Sequence, residues 1–94
     1  MSKYEAIIII DSNLSEESSK EVISKFEEII NNNGNVTRVD DIGIKKLAYK
    51  INNSDTGHYV LYEFEADSEF ISELQRVFRI TEEVLKYITI RKDD

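Results

Sequence analysis

Asn52-Asn53-Ser54-Asp55-Thr56-Gly57-His58-Tyr59-Val60-Leu61-Tyr62-Glu63-Phe64-Glu65-Ala66 is the stretch whose reading decides the fold. Residues 52–57 are all turn formers, and from His58 to Ala66 Val60, Tyr62 and Phe64 alternate with Tyr59, Leu61 and Glu63. A two-residue period flanked by turn residues is the mark of a strand entered from a hairpin. On the other side of the turn, Leu47, Tyr49 and Ile51 keep the same period, so a strand also leads into it. That strand starts near Asn35 and runs through Val36 and Val39. Asp40-Asp41-Ile42-Gly43 interrupts it, which predicts a bulge at the glycine.

Working back from the hairpin, Ser15 is suited to an N-cap and Glu16 and Glu17 to the positive end of a helix dipole. Val22, Ile23, Phe26, Ile29 and Ile30 then follow helical spacing. Asn31-Asn32-Asn33-Gly34 should end this helix, because Asn and Gly tolerate the left-handed conformation common at helix C-termini. Before the helix, Lys3 to Ile10 is a β-branched run closed by Asp11-Ser12-Asn13. Tyr4, Ala6, Ile8 and Ile10 fall on one face and Ile7 and Ile9 on the other, so this strand belongs in the middle of a sheet. Working forward, Asp67 or Ser68 can cap a second helix carrying Phe70, Ile71, Leu74, Val77 and Phe78 and ending near Ile80-Thr81. Val84 to Ile90 supplies a last strand before the polar tail Arg91-Lys92-Asp93-Asp94.

The order is β-α-β-β-α-β, an α+β arrangement of the ferredoxin-like, split β-α-β type. Right-handed crossovers put both helices on one face of a four-stranded antiparallel sheet, with the strands in the order fourth, first, third, second. The other face has no cover, and Ile7, Ile9, Tyr59 and Leu61 are assigned to it. A contiguous apolar patch in water marks a partner surface.

The 94 residues suit one domain, residues 1–94, with 40% hydrophobic and 33% charged residues, three Gly and no Pro. The absence of cysteine excludes disulfides, thiolate zinc sites, iron–sulfur clusters and a thiol nucleophile, and suggests a reducing cytoplasm. The longest apolar run, Ala6 to Ile10, is far short of the ~20 residues that span a bilayer, and no signal-peptide layout is present, so neither a membrane partner nor export is expected. The net charge of −7 argues against a general nucleic-acid binder. Its distribution qualifies that. Glu16, Glu17, Glu21, Glu27 and Glu28 load the first helix, and Glu63 to Glu83 holds seven more acids. Residues 44–50 carry Lys45, Lys46 and Lys50 without an acid, and residues 84–92 carry Lys86, Arg91 and Lys92 without one.

Catalytic signatures are missing. His58 is the only histidine and has no triad or metal partner at a telling spacing; it reads as a polar residue flanking the hairpin. The acid pairs Glu16-Glu17, Glu27-Glu28, Asp40-Asp41 and Glu82-Glu83 read as solvated surface. Gly34, Gly43 and Gly57 are isolated and form no phosphate loop. An acyl-phosphate hydrolase on this fold would need an arginine-bearing anion loop after the first strand, which Asp11-Ser12-Asn13-Leu14 does not offer. An RNA recognition motif has the same element order, but its basic-Gly-aromatic-Gly run is absent around Tyr59. No cofactor is expected.

Gly43-Ile44-Lys45-Lys46-Leu47-Ala48-Tyr49-Lys50-Ile51 resembles the signature of the family of the sixth protein of the bacterial small ribosomal subunit. The likeness extends from Tyr4-Glu5 through Gly34 and Gly57 to Phe78-Arg79-Ile80 and Val84. Lys50 stands where members of that family often carry proline, and the tail is short and acidic. The resemblance implies a non-enzymatic cytoplasmic ribosomal protein that binds the central domain of small-subunit ribosomal RNA together with the eighteenth small-subunit protein, and is a monomer outside the ribosome. Lys3, Arg91 and Lys92 are one candidate group of phosphate contacts. Lys45, Lys46 and Lys86 are further candidates, although the two basic segments are expected on opposite sheet edges. Tyr49 could stack on a base, though hairpin packing is its commoner use. Ile7, Ile9, Tyr59 and Leu61 would face the partner protein. The rival reading is a homo-oligomeric regulatory or ligand-sensing domain that uses the same bare face to pair with itself.

Overall fold

The computed structural model describes residues 1–51 and 53–92, so Asn52 of the expected turn and Asp93-Asp94 of the tail lie outside the described residues. The elements are β1 (Ser2–Asp11), α1 (Glu16–Asn33), β2 (Gly34–Ile51), β3 (Ser54–Ala66), α2 (Ser68–Ile80) and β4 (Val84–Arg91). They build one antiparallel sheet in the order β2-β3-β1-β4, the expected order read from its other edge. β1 pairs with β3 from Ser2↔Ala66 to Asp11↔Gly57 and with β4 from Tyr4↔Arg91 to Ile10↔Val84.

Both helices cover one face. Tyr4, Ala6, Ile8 and Ile10 of β1 and Val60, Tyr62, Phe64 and Ala66 of β3 are buried against Val22, Phe26 and Ile30 of α1 and Phe70, Leu74 and Phe78 of α2. Phe26 meets Phe78 edge-on at 4.9 Å between ring centres, and Phe78 continues to Tyr87 of β4 at 5.6 Å. The Tyr62 hydroxyl crosses the core and donates to the Ile23 carbonyl of α1 at 2.8 Å. Burial, reinforced by the negative charges of Glu27 and Asp41, pushes this phenol well above the usual tyrosine range.

The caps follow the expected chemistry at one end of α1 and depart from it at the other. The Ser15 hydroxyl accepts from the Ser18 N–H at 3.1 Å. At the C-terminus, Gly34 is extended, with φ −172° and ψ −144°, rather than left-handed. Glycine is needed there for space: a Cβ at Gly34 would lie 2.2 Å from the Glu65 carbonyl oxygen across the sheet. The neighbouring asparagines satisfy backbone groups, Asn31 Oδ1 accepting from the Val36 N–H and Asn33 Nδ2 donating to the Ile29 carbonyl. Asp67 holds the N-cap position of α2 but makes no side-chain cap hydrogen bond.

The hairpin is longer and tighter than its turn residues suggest. Ser54 to Gly57 are already strand, pairing through Ile51↔Ser54, Lys46↔Thr56 and Lys45↔Gly57, and the reversal is confined to the residues around Asn53, whose φ of 66° is one that asparagine tolerates. Cross-strand hydrogen bonding takes precedence over local turn preference here. The bulge expected near Gly43 is present, with the register shifting between Asp41 and Gly43 and the glycine at φ 102°.

Because Tyr62 gives up a buried hydrogen bond but not its ring on conversion to Phe, Tyr62→Phe should cost about 1 kcal/mol in urea titrations, whereas Phe78→Ala should cost about 3–5 kcal/mol. A phenol whose pKa is raised by folding favours the native state fully below its unfolded value of 10.0, and that contribution is lost as pH rises beyond it. The stability gap between the native chain and Tyr62→Phe should therefore shrink as pH is taken from 9 to 11, measured as urea midpoints on both proteins.

Candidate nucleic-acid and partner interface

The uncovered face follows from the register. Residues directly opposite each other in antiparallel strands share a face, so Ile7 lies between Leu61 and Ile88, Ile9 between Tyr59 and Lys86, and Glu5 between Glu63 and Ile90. Three zones succeed one another along this face: a charged end, an apolar centre, and a mixed aromatic and cationic end under the hairpin.

At the charged end, the Lys92 N–H donates to the Lys3 carbonyl at 2.7 Å, so Lys3 and Lys92 are brought together as expected. Their field is diluted by carboxylates. Lys92 Nζ lies 3.7 Å from Glu5 Oε2, and Glu63 and Glu65 line the same shallow hollow. Arg38 of β2 is likewise held by Glu63 and Asp40, at 3.2 and 2.9 Å. Arg91, opposite Tyr4, falls on the helix side of the sheet, away from the face that holds Lys3.

The apolar centre corrects the expected partner surface in one place. Ile7, Tyr59 and Leu61 are half-buried, but Ile9 keeps only 8% of its surface, because the hairpin tip lies over it. Between the pairs Lys46↔Thr56 and Ile51↔Ser54, β2 is three residues longer than β3, and the excess arches over the sheet with Leu47 pointing down, also 8% exposed. Gly57 makes room for this: a Cβ there would lie 2.4 Å from Ile9 Cγ2 and 3.2 Å from Leu47 Cδ2. The apolar surface left open moves toward β4, where Ile88 and Ile90 are 47% and 44% exposed, residues that sequence periodicity could have placed on this face.

The two basic segments do lie on opposite sheet edges, as expected, and the arched tip adds a groove that spans between them. Leu47, Tyr49, Tyr59, Leu85 and Lys86 line one groove of about 410 Å³ with Ile9, so residues of β2 and of the start of β4 share one groove on the bare face although the strands are opposite edges of the sheet. Tyr49 does not pack in the hairpin; it is 82% exposed. Among the described residues, no ion pair engages Lys45, Lys46, Lys50 or Lys86. His58 faces the helices, its Nε2 2.6 Å from Asp41 Oδ1, and the described residues hold no cluster of three potential metal ligands.

The model of the family described as Ribosomal protein S6 matches residues 3–91. The chain belongs to that family. Over 95 residues it is 44% identical to the small ribosomal subunit protein bS6 of Thermoanaerobacter pseudethanolicus, with the whole of both chains covered. It is 40% identical, again over the full length of both, to the protein of the same name from Caldanaerobacter subterraneus. The crystal structure of the 30S ribosomal protein S6 from Thermotoga maritima superposes with a TM-score of 0.92 at 29% identity, over 97% of this chain and 87% of that one. Members of the Ribosomal protein S6 family are structural rather than enzymatic, and the β-α-β-β-α-β sheet is the one that its solved relative adopts.

The contact between Gly57, Ile9 and Leu47 is open to a double-mutant cycle. Gly57→Ala should destabilise by about 1–3 kcal/mol through overpacking. In Gly57→Ala combined with Ile9→Ala the clash is removed, so the double variant should be more stable than the sum of the single losses by about 0.5–3 kcal/mol in chemical denaturation.

Proposed function

We propose that this chain is an RNA-binding structural constituent of the bacterial small ribosomal subunit in the cytoplasm. In this reading it is one domain and a monomer until assembly, and it grips the central domain of small-subunit ribosomal RNA as a pair with the eighteenth small-subunit protein. The observation that carries the reading is an apolar sheet face with Lys45 and Lys86 on the same side, both without an ion pair among the described residues, on a protein of net charge −7.

Each phosphate neutralised by a lysine releases counterions, so a few contacts on an acidic chain give weak, salt-sensitive binding. A basic partner seated on Ile7, Leu61, Ile88 and Ile90 would bury those side chains and add the missing cations, and the two proteins would then hold RNA jointly. Within the chain, Lys45, Lys46 and Lys86 are assigned the principal phosphate contacts. Lys3 and Lys92 form a second group, weakened at Lys92 by its pairing with Glu5, and Arg91 is a separate candidate on the helix side.

The test is titration onto a transcript of the central domain at two salt concentrations, with and without the partner protein. Weak binding alone and tight binding with the partner are expected; tight binding without it would contradict the reading. Lys45→Ala with Lys46→Ala should lower the salt slope by about 2, and Lys92→Ala should lower it by less. A stable homodimer in sedimentation, indifferent to RNA and partner, would favour the self-pairing alternative.

A further inference from the structure

Resting on that reading, we propose that the groove between the arched hairpin tip and the start of β4 takes one unpaired nucleotide of the RNA, its base stacked on the ring of Tyr49 and a flanking phosphate met by Lys86, with Lys45 on the same face of the sheet. Three observations converge on this assignment. The first is the position of Tyr49. Tyrosine in a hairpin normally spends its ring on packing, yet here the ring is 82% exposed while Leu47, two residues earlier, supplies the packing against Ile9 and Gly57. The arch thus holds one side chain down and presents a planar one outward.

The second is shape. The groove, at about 410 Å³, lies within the roughly 300–1,000 Å³ range of small-ligand sites, and Tyr59, Ile9 and Lys86 line it across three neighbouring strands with Tyr49. A flat aromatic solute with an anionic backbone fits a cleft lined by Tyr49, Tyr59 and apolar side chains with Lys86 at its edge. The third is charge. The surface elsewhere is dominated by acids, and at the opposite end of the same face Glu5, Glu63 and Glu65 offset Lys3, Lys92 and Arg38. Lys86 at the groove and Lys45, Lys46 and Lys50 of β2 have no such counterion among the described residues. An aromatic platform within reach of unneutralised cations is the arrangement by which proteins hold single-stranded nucleotides, since every base offers a π-face and phosphates supply the charge.

The experiment compares Tyr49→Phe, Tyr49→Leu and Tyr49→Ala with the native chain, each bound to the central-domain transcript in the presence of the partner protein. Thermal melting is used to verify that the exposed position leaves folding intact. Stacking predicts that Phe keeps native affinity, while Leu and Ala weaken binding by about 5- to 150-fold with an unchanged salt slope, because no phosphate contact is lost. Ultraviolet irradiation of the native complex should crosslink the peptide containing Tyr49 to a nucleotide unpaired in the free RNA. Native affinity for Tyr49→Ala, when Lys45→Ala with Lys46→Ala is weakened, would overturn the stacking and leave the RNA-binding reading standing. Weakened binding of Tyr49→Ala to the partner protein in the absence of RNA would assign the groove to that protein instead. A native chain that does not bind the transcript even with the partner would overturn both.

Discussion

A four-stranded sheet with both of its helices on one side has one dry face and one that must find another use, and that asymmetry governs this molecule. The dry face is filled to completion: Ala6, Ile8, Ile10, Val60, Tyr62, Phe26, Ile30, Leu74 and Phe78 are entirely excluded from water. Nothing comparable shields Ile7, Leu61, Ile88 and Ile90 on the reverse. Roughly 25 cal/mol per Å² of apolar surface is gained when such a patch is covered, so covering it would be favourable. The hairpin tip supplies part of that cover by folding Leu47 onto Ile9, and it does so only because residue 57 has no side chain.

Electrostatics sorts the same face into ends with different uses. Where Lys3 and Lys92 approach each other, carboxylates from β1 and β3 accompany them, and the local field is close to balanced. Under the hairpin, Lys45, Lys46 and Lys50 form no ion pair among the described residues. On a chain whose total charge is −7, this short stretch is where an anionic ligand meets the least repulsion, and screening at physiological salt confines the repulsion from distant acids to about 8 Å.

Most of the scaffold was legible in the residues. The alternation of Val60, Tyr62 and Phe64, the helical spacing of Val22, Phe26 and Ile30, and the cap at Ser15 each encode a local rule that the tertiary structure does not oppose. What was not legible depends on residues far apart in sequence. Gly34 looked like a left-handed helix stop, and its actual constraint is the carbonyl of Glu65 across the sheet. Gly57 looked like part of a turn, and its constraint is Ile9, 48 positions away. The groove that Tyr49 of β2 shares with Lys86 of β4 was not legible, because a strand order says nothing about an arch that folds back over the sheet. For Tyr49 the residues left packing and exposure both open: its period matches Leu47 and Ile51, but the extra residues in β2 break that period where it matters.

The claim on which the rest depends is that the helix-free face receives a companion protein. Methyl-resolved NMR on the isoleucine-labelled chain, titrated with the eighteenth small-subunit protein, reads this directly. The account predicts that the signals of Ile7, Ile88 and Ile90 shift or broaden while Ile30 and Ile71, on the helix side, stay in place. Perturbation confined to the helix side, or none at all at saturating partner, would contradict it.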